Sequence, residues 1–420
     1  MKQALIIGGG IAGPVTAMAL QRAGLEPIVC EAYQEAAAEQ IGAYLTVAVN
    51  GLSALALLDA EHVVTETGHP TGTLSFATSA GKHIVDMPIG GTLPDGTTTH
   101  SVKRRDLYRA FNAEAARRGV RYEYGKRLID ATSTPDGGVT ARFADGSTID
   151  ADLLIGADGI RSRTREIIDP TAPEAHYLGI YGLGGFVTDR VLFADLGLRP
   201  GIYSMIFGKQ AFFGYLVAPD GEIWWFANVP REHELSRAEL AGTTPAQWRD
   251  QLVELLSVDH TPAARIVAAT PDDTFVTGFN QYDMPSVRTW HTGNMVIVGD
   301  AAHAVASSSG QGVSMAVEDA VTLAICLRDV PDTADALAVY EQRRRDRVER
   351  VVQHGAATSG DKASSGFGRL LVRLLTPCFL KKAAKTGVGP LSWMYDYRIG
   401  WDNEAQSATT SLPVAPPDSM

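Results

Sequence analysis

The chain has 420 residues, 45% of them hydrophobic and 20% charged, with a formal net charge of −11. That length predicts two or three domains around a large buried core, and the acidic balance argues against a nucleic-acid partner, which needs a basic face. Cys30, Cys326 and Cys378 are widely spaced and odd in number, so neither a disulfide framework nor a zinc site is expected, the compartment is read as the reducing cytoplasm, and no apolar run is long enough to predict a membrane span.

In chain order, the first unit reads as a strand over 3–7, a helix over 11–23 and a strand over 27–31. Gly8, Gly10 and Gly13 sit in the turn between the first strand and the helix, and Glu31 closes the second strand. Glycines at this spacing let the turn approach a pyrophosphate, with the helix N-terminus turning free N–H groups toward it and the acid reaching an adenosine ribose. Dinucleotide binding is therefore expected, with FAD and NAD(P) both open at this point. Only Lys2 precedes the apolar start, so the strand and turn account for those residues better than a signal peptide.

A helix is predicted over 50–59, strands over 73–78 and 83–87, a helix over 105–118, and strands over 120–124, 139–143 and 148–155, with Asp145-Gly146 a hairpin signal. The apolar stretch from Leu153 ends in Asp158-Gly159, followed by Arg161, Arg163 and Arg165. From about 171 to 275 the pattern turns to alternating aromatics, with strands over 202–208, 211–218 and 222–228 and a helix over 244–256. Alternation of this kind predicts an antiparallel sheet with one face covered. Its aromatics read singly as core, and as a group they suit a flat apolar substrate. Tyr203, Phe207, Phe213, Tyr215 and Trp225 are the candidate substrate contacts.

A strand over 294–298 then leads into Gly299-Asp300 and His303, and Gly310-Gln311-Gly312 opens a helix over 312–328. A strand-end carboxylate can accept hydrogen bonds from a polyol, and the glycines admit a helix N-terminus to an anionic ring edge. A ribityl chain and isoalloxazine would use both, which favours FAD over NAD. His303 reads as structural, and Arg343, Arg344, Arg345, Arg347 and Arg350, interleaved with acids, read as a solvated face of the next helix, 333–354. A last helix is predicted over 367–385, and the apolar stretch from Leu370 to Trp393, with Lys381, Lys382 and Lys385 inside it, is expected to close one side of the substrate pocket rather than touch a membrane, before an uncompacted tail.

These motifs in this order resemble the single-component flavoprotein monooxygenases, the family of para-hydroxybenzoate hydroxylase, over about residues 1–355. The resemblance implies that Gly8, Gly10, Gly13 and Glu31 hold the ADP half of FAD, that Asp158 and Gly159 support FAD and NAD(P)H, and that Gly299 and Asp300 hold the ribityl chain. It places the backbone of Gly310, Gln311 and Gly312 beside the flavin ring and Arg104, in Arg104-Arg105-Asp106-Leu107, near the FAD ribose, pyrophosphate or ribityl chain. The implied chemistry is hydride transfer from a transient NAD(P)H to bound FAD, formation of a C4a-hydroperoxide with O2, and hydroxylation or epoxidation of an apolar aromatic or polycyclic substrate. One departure bears on it: Ser307 stands where many members carry a proline, which adds a hydroxyl and frees φ. An FAD-holding oxidase, a redox-neutral cyclase and a catalytically silent binder remain the alternatives.

The expected fold class is α/β, with a Rossmann-like FAD-binding domain interleaved with an antiparallel-sheet substrate domain. The FAD-binding part comprises 1–72, 100–170 and 276–360, the substrate part 73–99 and 171–275, followed by a helical segment over 361–402 and a disordered tail over 403–420. A monomer or homodimer is expected.

Overall fold

Runs such as Leu5-Ile6-Ile7, Leu153-Leu154-Ile155 and Met295-Val296-Ile297 lack polar alternation, the pattern of strands covered on both faces. In the computed structural model, which describes residues 2–34, 43–363 and 391–402, they pair side by side in a six-stranded sheet. Gln3–Ile7 lies parallel between Leu153–Gly156 and Glu26–Glu31, and Met295–Ile297 continues parallel beyond Leu153–Gly156. Arg121–Tyr124 closes one edge in parallel and His291–Thr292 the other in antiparallel. Helix Ala12–Arg22 buries every residue from Gly13 to Leu20, because it is wedged between this sheet and helix Gly312–Asp329.

The stretch predicted as one strand over 148–155 is two. Thr148–Ala151 pairs with Val139–Phe143 around the Asp145-Gly146 turn, and Leu153–Gly156 enters the parallel sheet, with the Asp152 carboxylate accepting from the Gln3 N–H at 2.6 Å between them. An alternating half-exposed strand and a fully buried one abut at Asp152, and their difference in period marks the break.

The second sheet has seven strands in the order Phe275–Asp283, His176–Val187, Ile223–Pro230, Phe212–Val217, Ile202–Phe207, Thr73–Thr78 and His83–Pro88. Every pairing is antiparallel except Ile202–Phe207 with Thr73–Thr78. Phe275–Asp283 thus belongs to the aromatic sheet, past the boundary expected at residue 276. One face packs on helices Pro245–Leu256 and Ala263–Ala268, burying Phe213, Trp225, Trp248 and Leu252. A small sheet of Tyr44–Val47, His100–Lys103 and His69–Pro70, absent from the sequence reading, stands between the two large sheets.

Helix Thr333–Ala363 runs longer than expected, and Ser392–Tyr395 forms a short helix near the end of the described chain. The expected helix at 367–385 and tail at 403–420 lie outside the described residues. No helix among the described residues is long and apolar enough to cross a membrane.

Candidate functional site

The three motifs fall at the carboxyl ends of three adjacent parallel strands. The Gly8 N–H donates to the Cys30 carbonyl at 2.8 Å, Ala157 to Ile7 at 2.8 Å and Val298 to Gly156 at 2.9 Å, so the chain leaves the sheet at one level in all three. In open α/β sheets this edge is where ligands bind.

Each glycine of the first turn has a separate reason. Gly8 holds φ +107°, and a Cβ there would lie 2.5 Å from the Ala157 carbonyl oxygen. A Cβ on Gly13 would lie 2.0 Å from the Gly8 oxygen, so the helix could not close on the turn. Gly10 is different: no protein atom lies within 4 Å of the place its Cβ would take, which leaves a backbone cradle open to a ligand. Glu31, 7% exposed, accepts from the Gly9 N–H at 2.7 Å and the Tyr33 N–H at 2.9 Å, which fixes its carboxylate beside that cradle.

Gly299 ties the far end of the chain to the near end. Its φ is +59°, its Cβ position lies 3.3 Å from Ala12 Cβ and 3.2 Å from Ala316 Cβ, and its N–H donates to Asp319 at 2.9 Å. Asp300, next to it, opens to solvent in the cleft and accepts no hydrogen bond among the described residues. The surrounding protein desolvates its carboxyl and raises its pKa, with His303 and Arg104 pulling the other way. Desolvation likewise lowers the Arg104 pKa, against the attraction of Asp300. Arg104 and Asp300 therefore share one cleft although 196 positions separate them (300 − 104).

Asp158 turns inward. Its carboxylate accepts from the Ser162 hydroxyl at 2.5 Å and from the Thr164 N–H and hydroxyl at 2.9 and 3.1 Å. Burial raises its pKa and these bonds oppose the rise. Asp158 therefore shapes the turn into helix Arg163–Ile168, and Gly159, at φ +77° with no atom within 4 Å of its Cβ position, is the member of the pair that faces open space.

Beneath Gly299 lies a charge network that the sequence reading missed. Arg344, 0% exposed, donates Nε to Asp319 at 2.7 Å and Nη1 to Glu318 at 2.7 Å; Arg347 donates twice more to Glu318, at 2.8 and 2.7 Å. Asn50 donates to Glu318 at 2.7 Å and to Gln311 at 2.9 Å. His303, 3% exposed, shares a 2.5 Å hydrogen bond with Asp319, in keeping with a structural histidine. Burial would raise the Asp319 pKa, yet His303 and Arg344 outweigh it and hold the carboxyl at about 2. The expectation of a solvated arginine face is corrected for Arg344 and Arg347, and in part for Arg345, which pairs with Glu341 and Glu349 one turn away on either side but also donates to the Val287 and Arg288 carbonyls. Interleaved acids signal surface pairing only when the partners lie on the same helix, and Glu318 and Asp319 come from another.

The aromatic candidates divide between two faces. Phe213, Tyr215 and Trp225 pack toward the helices, Phe213 stacked on Trp225 at 5.8 Å and the Trp225 indole N–H donating to Thr270 at 2.9 Å. Tyr203 and Phe207 lie on the opposite face with Phe212, Trp224 and Phe226, where the small sheet adds Tyr44, 5.9 Å from the Tyr203 ring and 5.6 Å from Trp224. Lys103 links the two layers, pairing with Glu222 at 2.6 Å and lying 4.7 Å over the Phe186 ring. The loop after Asp300 reaches this second face through Ser307, whose hydroxyl donates to Gln281 at 2.8 Å. The open Gly10 cradle, the unbonded Asp300 acceptor beside it and Arg104 across the cleft fit an FAD laid from the first turn to this loop.

The FAD binding domain family is matched over residues 1–355. Aurachin C monooxygenase/isomerase of Stigmatella aurantiaca is 30% identical over 349 residues, covering 83% of this chain and 86% of that protein. The FAD-dependent urate hydroxylase of Klebsiella pneumoniae is 28% identical over 359 residues, covering 83% and 88%. The crystal structure of Klebsiella pneumoniae HpxO complexed with FAD and uric acid superposes with a TM-score of 0.78 at 26% identity, covering 93% of this chain and 94% of that one.

Proposed function

Because the chain belongs to the FAD binding domain family and is an FAD-dependent monooxygenase, we propose that it takes electrons from NAD(P)H and one oxygen atom from O2 to hydroxylate or epoxidise an apolar, aromatic or polycyclic small molecule. The single observation that carries this reading is the convergence of Gly10, Asp300 and Arg104 on one cleft, with the loop at Ser307 leading from it to an aromatic sheet face. FAD, when bound, supplies the two-electron carrier and the site of oxygen activation.

The protein's own part is binding, orientation and exclusion of water. Gly10 and the start of helix Ala12–Arg22 present backbone to the pyrophosphate, Glu31 takes the adenosine ribose, and Asp300 accepts from the ribityl hydroxyls. The Gly310 and Gln311 N–H groups are spent on the Ser307 carbonyl and the Ser309 hydroxyl, so the Gly312 N–H at the start of helix Gly312–Asp329 is the donor this segment would offer the ring edge, with Gln311 held by Asn50. The face carrying Tyr203, Phe207, Phe212 and Phe226 receives a flat substrate, while Phe213, Tyr215 and Trp225 support that sheet from behind. Urate, on which one relative acts, is a flat ring system, in keeping with such a slot.

Stopped-flow and oxygen-electrode measurements on FAD-loaded protein test the reading. Substrate should accelerate NAD(P)H consumption with matching O2 uptake and one oxygen recovered in product. Product formed without NAD(P)H would point to a cyclase, and O2 consumed only to hydrogen peroxide with every substrate would point to an oxidase.

A further inference from the structure

The aromatic face of the second sheet carries a polar pair that nothing in the cofactor cleft uses. Asn228, on Ile223–Pro230, and Gln281, on Phe275–Asp283, are 3% and 7% exposed. Gln281 Nε2 donates to Asn228 Oδ1 at 2.6 Å, and Ser307, on the loop after Asp300, donates its hydroxyl to Gln281 Oε1 at 2.8 Å. By register, Asn228 stands opposite Phe212 on one side and Gly182 on the other. The two carboxamides therefore interrupt a surface otherwise built of Phe212, Phe226, Phe207 and Tyr203.

A buried carboxamide is costly to keep in such surroundings unless its arms are used. Asn280, the neighbour of Gln281 pointing to the other face, shows the saturated case: its Oδ1 accepts from the Leu235 N–H at 2.9 Å and its Nδ2 donates to the Leu235 carbonyl at 3.0 Å, a two-bond pairing with the backbone of one residue. Asn228 Nδ2 has no hydrogen-bond partner among the described residues, its Oδ1 being the atom that meets Gln281. Gln281 retains a second N–H and a second lone pair. Gly182 makes room for this arrangement, since a Cβ there would lie 2.8 Å from Gln281 Nε2 and 2.5 Å from the Phe279 ring.

We propose that Asn228 and Gln281, oriented by Ser307, form the specificity station of the substrate slot and read the adjacent N–H and C=O of a planar cyclic amide, as in a pyridone, quinolone or purinone ring. The pair offers a donor beside an acceptor, the complement of a lactam edge, whose N–H and C=O belong to one cis amide. Aromatic walls hold the ring and the two amides set its rotation relative to the loop at Ser307. A site that hydrogen-bonds a substrate group rejects the analogue lacking it far more strongly than an apolar wall rejects a size change. This assignment rests on the monooxygenase reading for the meaning of the slot.

The test is a binding titration on FAD-loaded protein, read by the change in the flavin absorption spectrum, with 2-quinolone, 6-hydroxynicotinic acid and uric acid as probes and N-methyl-2-quinolone as the matched ring without the N–H. At least one lactam should perturb the spectrum, and 2-quinolone should bind about tenfold or more tighter than its N-methyl derivative, the worth of one well-made hydrogen bond. That advantage should vanish in Gln281→Met and Asn228→Leu, with FAD affinity unchanged in both, and shrink in Ser307→Ala. Ser307→Ala removes only the group that orients Gln281, so it keeps the test decisive where a core variant fails to fold. No response to any lactam, equal binding of the N-methyl compound, or an advantage that survives the substitutions would each overturn the assignment. Failure to take up FAD would instead strike the monooxygenase reading, whereas a protein that binds FAD and consumes NAD(P)H with plain aromatic rings but ignores the lactam edge would strike this assignment alone.

Discussion

Gly10 and Gly13 share a motif and differ in what an added methyl would meet. At Gly13 it would collide with the Gly8 carbonyl, 2.0 Å away, so Gly13→Ala should distort the turn, lower the melting temperature of the apoprotein and abolish FAD retention. At Gly10 the methyl meets nothing of the protein. Gly10→Ala should leave apoprotein stability within about 1 kcal/mol, the usual range of such a change, while weakening FAD binding by about tenfold or more. A fluorescence-quenching titration beside a thermal melt separates the two cases, and equal FAD affinity in Gly10→Ala would remove that residue from the cradle. Asp300 is predicted in the same way. Its carboxylate, open to the cleft, lacks a hydrogen-bond donor from the described residues, so Asp300→Ala should cost little in the empty protein and about tenfold or more in FAD affinity through lost ribityl bonds.

At the scale of elements, the network of Asp319, Glu318, Arg344, Arg347 and His303 joins helix Gly312–Asp329, helix Thr333–Ala363 and the Gly299 turn. Removing one partner of a buried pair leaves an uncompensated charge, so Arg344→Met should destabilise the protein by about 3–5 kcal/mol in a denaturant titration. An unchanged midpoint would show that the two carboxylates are satisfied without it. The pH dependence follows from the sign of the shift. Folding lowers the Asp319 pKa from the ordinary 3.8 to about 2, so the unfolded chain binds that proton first on acidification. The stabilisation is complete at pH values above 3.8 and is lost as pH falls through about 2. Its size is on the order of 2 kcal/mol, and Asp319→Asn should flatten that part of the acid-stability curve. The strands show the same dependence on partners. Alternation in 202–228 announced a two-faced sheet, but pairing register decided that Tyr203 shares a face with Leu216 and Trp224 while Phe213 and Trp225 share the other.

For the whole molecule, the cleft is assembled from segments at the two ends of the matched region, with Ala12 against Gly299 and Arg104 facing Asp300. A ligand that spans such segments binds only the folded chain. Saturating FAD should therefore raise unfolding free energy by about 2.7 kcal/mol at a hundred times its dissociation constant. Calorimetry with graded FAD checks this, and a melting temperature indifferent to FAD would contradict a cleft formed only on folding. The Ser307 to Gln281 hydrogen bond and the Lys103 to Glu222 ion pair connect the cofactor side to the aromatic sheet, so the two sheets meet through named polar contacts as well as apolar ones.

Local chemistry was enough to reveal the three strand-end motifs, the Asp145-Gly146 hairpin and the FAD class of the chain, because glycine spacing, apolar runs and turn residues act within a few positions of one another. Tertiary structure alone decided what depends on pairing between distant segments. Glu318 and Asp319 found Arg344 and Arg347 across two helices, Asp158 spent its carboxylate on Ser162 and Thr164, and Gln281 met Ser307 and Asn228 across a sheet and a loop. The strands Tyr44–Val47 and His176–Val187 were illegible for the same reason: one is four residues long and the other is interrupted by Gly179, Gly182, Gly184 and Gly185, and each is held by its neighbours' hydrogen bonds more than by its own propensity.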